Sequence, residues 1–156
     1  MKNTETIIHT EIRSLIGEGL NYWFYDHEFV RSPFPEYIRE ELSKKVDQKY
    51  MQWISEQKKE DLKDLTDEQL VEKFEEILFG IGIDLVKTED EKLSILYPFM
   101  PRIGDAMEDH NKSHDVLQKY TVIERKLVQN EKESSLEITS KNAQEEILIS
   151  NFELPV

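Results

Sequence analysis

His110 and His114 are the residues best spaced for chemistry. They stand four apart inside D-A-M-E-D-H-N-K-S-H-D, and on a helix that spacing brings two imidazoles to one face, where their nitrogens can converge on one divalent cation. Further donors exist elsewhere. His27 lies in Asp26-His27-Glu28, His9 completes the chain's four histidines, and Asp105, Asp109 and Asp115 could bind the ion or orient the rings. Such a centre would be of zinc, iron or nickel type, held by neutral histidines. The competing reading is that His110 and His114 continue the helical stripe of Ile103, Met107 and Leu117 and serve packing.

In this pair, with His27 or His9 as a third ligand, the chain resembles the metal-binding helical bundles of the DinB-like family. The resemblance implies a four-helix fold with one divalent transition metal, and the strand-rich C-terminal third departs from it. Other chemistry is sparse. The pair lacks the glutamate of H-E-x-x-H, so no general base stands at the metalloprotease spacing. There is no cysteine, which excludes disulfides and thiolate catalysis. Five glycines, at 17, 19, 80, 82 and 104, build no phosphate-cradling loop. Adjacent carboxylates such as Glu75-Glu76 and Glu145-Glu146 suit acid–base work only where one is desolvated, and solvated helix faces explain them as well.

Residues 20–37 are the other unusual feature. Seven of the fifteen aromatic residues fall there: Tyr22, Trp23, Phe24, Tyr25, Phe29, Phe34 and Tyr37. One face of an amphipathic helix cannot absorb so many, so part of the segment is expected at the surface. Tyr22, Tyr25, Phe29, Phe34 and Tyr37, ringed by Asp26, Glu28 and Glu36, then form a candidate docking patch. The alternative is a central helix covered on all sides.

The elements that position these residues follow from periodicity. Ile7, Ile8, Ile12, Leu15 and Ile16 predict a helix, capped by Thr4 or Thr6, that ends near Gly17. After a kink at Gly17-Glu18-Gly19 the aromatic segment is expected to form a second helix to about Val30. Pro33 or Pro35, with Ser32 as cap, opens a helix of about 25 residues carrying Ile38, Leu42, Val46, Tyr50 and Trp53 on one face. Thr66 and Gln69 form a capping box, Leu70, Phe74, Ile77 and Leu78 the stripe behind it, and Gly80 the expected left-handed stop. A second box, Thr88 to Glu91, starts a short helix that Pro98 must end. A last helix is expected from Ile103 to Leu117. From Lys119 the texture becomes that of strands: Tyr120 to Val128, a turn at Asn130, then segments around Leu136 and Ile147–Leu154.

The expectation is one α+β domain over 1–156, with a bundle of about four to five helices in 1–117 and a small antiparallel meander, packed on the helices, in 118–156. A net charge of −13 disfavours nucleic acid and anionic membrane as direct partners and favours a basic protein. No secretory signal or membrane-length apolar run is present, so the default location is the cytoplasm. Together these features predict a non-enzymatic protein-binding module without cofactor, of the acidic inhibitor type seen in immunity proteins and antitoxins. The alternatives are an adaptor subunit that pairs through its last strand and a metal-dependent enzyme built on His110, His114 and His27.

Overall fold

The computed structural model describes residues 4–27, 30–108 and 119–154, with the backbone alone for 4–9. The chain divides into two compact units, Met1–Phe99 and Met100–Val156. The first holds five α-helices among the described residues: α1 (Thr4–Phe24), α2 (Arg39–Glu56) preceded by a 3-10 turn (Glu36–Ile38), α3 (Lys59–Asp64), α4 (Asp67–Leu85) and α5 (Glu89–Leu96). The second holds β1 (Ala106–Glu108), β2 (Lys119–Gln129), β3 (Ser134–Lys141) and β4 (Ile147–Glu153) in one antiparallel sheet of order β1-β2-β3-β4. Helices followed by a C-terminal antiparallel meander is the α+β order that the sequence predicts.

In the helical unit α4 packs against α1, α2 and α5. Leu42, Val46, Tyr50 and Ile54 repeat every four residues along α2 and are buried against Phe74, Ile77 and Leu78 of α4. The Tyr50 hydroxyl donates to the Leu70 carbonyl at 2.8 Å, and burial pushes this phenol up to about 12. Both predicted capping boxes are formed. The Thr66 hydroxyl accepts from the Gln69 amide while the Gln69 side chain accepts from the Thr66 amide, and Thr88 with Glu91 repeats the arrangement.

Two glycine-based breaks do not occur. α1 runs unbroken through Gly17 and Gly19 to Phe24, rather than stopping at 17 and restarting toward Val30. Likewise α4 continues through Gly80 and Gly82 to Leu85. Packing explains two of these positions: a Cβ on Gly19 would lie 2.4 Å from the Phe74 ring, and one on Gly82 would lie 2.6 Å from the Phe34 ring. Each glycine opens the helix surface so that a buried phenyl ring can rest on the backbone. The predicted Ser32 cap is also absent from α2: its hydroxyl accepts from the Phe34 amide, and the helix, shorter than 25 residues, is entered from the 3-10 turn after Pro35.

In the sheet unit Tyr120, Val122, Leu136 and Ile138 lie on the buried face, while Thr121 and Lys126 lie on the other. A bulge between Val122 and Glu124 lets both parts of β2 keep that alternation against β3. β4 pairs with β3 from Ser135↔Glu153 to Lys141↔Ile147 and is an edge strand. The helix expected from Ile103 to Leu117 does not form over 103–108, and the rest of its span lies outside the described residues. Gly104 takes φ 94°, which ends any helix, and its amide donates to the Val122 carbonyl at 2.8 Å, leading Ala106–Glu108 into pairing with β2.

Candidate functional site

Tyr22, Trp23 and Phe24 are successive residues at the C-terminal end of α1, and successive helical side chains point about 100° apart, so one core cannot bury all three. The structure divides them. Phe24 is buried, Trp23 is half-buried, and Tyr22 is 44 % exposed. Tyr25, just past the helix, is 61 % exposed, and Asp26 beside it is also exposed. Trp23 and Phe24 join an edge-to-face series in which Trp23 meets Phe79 at 4.8 Å, Phe79 meets Phe34 at 5.1 Å and Phe34 meets Phe24 at 6.0 Å.

Of the predicted docking residues, Tyr22, Tyr25 and Asp26 therefore lie at the surface near the end of one helix. Phe34 does not: it is 1 % exposed, because the bare backbone at Gly82 admits its ring and Phe24 and Phe79 close around it. Tyr37 is 54 % exposed, yet its hydroxyl donates to Glu91 Oε2 at 2.6 Å and accepts from the Lys87 amide at 3.2 Å, and the Lys87 ammonium sits 5.5 Å from its ring centre. That ring is occupied in tying the start of α2 to α5 and carries a cation. Glu28 and Phe29 lie outside the described residues.

His27 is engaged at the end of α1. Its Nε2–H donates to the Tyr22 carbonyl at 2.8 Å, one of the carbonyls a helix terminus leaves open, and its ring stacks on Tyr22 at 4.8 Å. The neutral ring then keeps only Nδ1 as an acceptor. His110 and His114, the other metal candidates, lie outside the described residues. Among the described residues no three of His, Asp and Glu are grouped to hold a metal ion. No helix there is long and apolar enough to cross a membrane.

No protein family, curated protein or solved structure matches this chain.

Tyr22 and Trp23 also wall a cleft of about 250 Å³ between α1 and α4, floored by the Phe74 ring against Gly19. Leu15 and Val71 supply apolar sides, and Glu18 and Glu75 supply carboxylates. Burial pushes the Glu75 carboxyl above the usual glutamate range; the neighbouring Glu72 adds to this, and a hydrogen bond from the Trp23 side chain works against it. Sequence reasoning named Glu75 only as half of the adjacent pair Glu75-Glu76, and missed Glu18 and Val71. Helical spacing sets Leu15, Glu18 and Tyr22 on one face of α1, and Val71, Phe74 and Glu75 on one face of α4. Nothing in either stripe says that these two faces meet.

Proposed function

We propose that the protein acts by binding another protein whose surface is basic and partly apolar, as an inhibitor of the immunity or antitoxin kind rather than as an enzyme. The observation that carries this is the exposure of Tyr22 and Tyr25, 44 % and 61 %, beside Asp26, at the end of a helix where Phe24 is buried and Trp23 half-buried. Tyrosine offers large apolar area with a polar tip and few torsions to immobilise, which is why it anchors interfaces. A net charge of −13 would steer a cationic partner toward the chain and speed its capture, while the aromatic anchors slow its release.

A second reading rests on a different observation. β4 is an edge strand with Ile147 and Ile149 61 % and 57 % exposed, and its seven residues include no lysine or proline of the kind that blunts such edges. On that reading the protein is an adaptor that adds a strand from another chain.

One experiment separates the two. The tagged full chain, purified from the cell that makes it, should carry one partner of basic isoelectric point in near-stoichiometric amount. Tyr25→Ala should reduce recovery about tenfold or more, while Ile149→Lys leaves it intact. The adaptor reading expects the reverse pattern, and recovery of the chain alone contradicts both.

A further inference from the structure

Resting on the protein-binding reading, we infer that the cleft between α1 and α4 is the slot for a single arginine or lysine side chain of the partner, presented beside apolar residues. Its size argues for a side chain: about 250 Å³ lies below the roughly 300–1,000 Å³ of small-molecule sites. Its walls suit an amphipathic one, because Leu15 and Val71 can take a methylene stem while Glu18 and Glu75 take the cationic head.

Charge complementarity identifies the occupant. The cleft is lined by two carboxylates and no basic side chain, and Glu72 adds a third negative charge next to Glu75. A neighbouring cleft of similar size between α2 and α4 provides the contrast. There Lys49 and Lys73 line the wall beside Glu56 and Glu76, and Lys73 lies 3.4 Å from Glu76 and 5.6 Å from the Trp53 ring centre. The α2–α4 cleft thus supplies its own cations, whereas the α1–α4 cleft has no basic side chain among the described residues and only the Trp23 hydrogen bond to set against the charge of Glu75. The upward shift of Glu75 agrees, since a partly buried carboxylate beside another carboxylate gains from an incoming cation.

The two tryptophans give a direct readout, since Trp23 lines one cleft and Trp53 the other. The nitrogen-15-labelled full chain is titrated with acetyl-Ala-Leu-Arg-Leu-Ala-amide and with the same peptide carrying citrulline, which keeps the shape and loses the charge. The Trp23 indole N–H and the Gly19 amide should move saturably with the arginine peptide while the Trp53 indole stays still. Citrulline, or Glu75→Gln in the protein, should weaken binding about tenfold. Glu18→Gln, at an exposed position, should weaken it in the same direction without perturbing the core. An unresponsive Trp23 indole, equal movement of both indoles, or equal binding of the citrulline peptide overturns the slot. The slot and the broader reading fail separately: a silent Trp23 with Tyr25-dependent partner capture removes only the slot, and a responsive Trp23 in a chain that captures no partner removes only the binding function.

Discussion

Glycine plays two opposed roles within one turn of α1. At Gly17 an added Cβ meets nothing within 4 Å, so the residue contributes only its excess freedom in the unfolded chain. At Gly19 the same Cβ would press on Phe74, whose ring is 1 % exposed and has no room to swing away. Gly17→Ala should therefore stabilise the helical unit by about 0.5–1 kcal/mol. Gly19→Ala should destabilise it by about 1–3 kcal/mol, the range of overpacked cores. Urea denaturation followed by circular dichroism measures both, and shifts of the same sign would contradict the packing described. A residue type read as a helix breaker is here a packing device, and that distinction depends on a ring from another helix.

At the scale of elements, legibility followed the range of the physics. Capping boxes at Thr66 and Thr88 are local, complete within four residues, and were readable, as were the α2 stripe and the β2–β3 hairpin. Helix ends at Gly17 and Gly80, and the helix expected from Ile103, depended on partners distant in sequence: Phe74 on Gly19, Phe34 on Gly82, and β2 drawing Ala106–Glu108 into a sheet. Tyr37 and Glu91 show the same dependence. Burial pushes the Glu91 carboxyl up, but the hydrogen bonds it receives from Tyr37 and Thr88 outweigh this and hold it below the usual glutamate range. A lowered folded value means that its contribution to stability is present above the ordinary glutamate range, about pH 4.3, and disappears as the pH falls through the lowered value. Glu91→Gln should consequently reduce the urea midpoint at pH 7, and the gap from the native chain should close toward pH 3. A gap that stays constant with pH would remove Glu91 ionisation from the latch.

For the whole molecule, the sequence marked residues 20–37 as aromatic-rich and left open which of their side chains lie inside and which outside. The excess of aromatic area in 20–37 required that some remain wet, and Tyr22 and Tyr25 do, while Phe24 and Phe34 are core. Which side chain fell on which side was set by the direction α1 presents to α4 and by where the chain returns at Ser32, whose amide donates to Asp26 at 2.8 Å. The carboxylates of the α1–α4 cleft were illegible for the same reason, since 33 acidic side chains offer no local mark of the two that face apolar walls. We propose that a basic protein docks on the end of α1. Placing a photo-crosslinking phenylalanine analogue at Tyr25, and separately at the exposed Lys44 of α2, tests that claim most directly in the cell that makes the protein. One dominant adduct with a basic protein is expected from position 25 and none from position 44. No adduct at 25, or the same adducts from both positions, would contradict it.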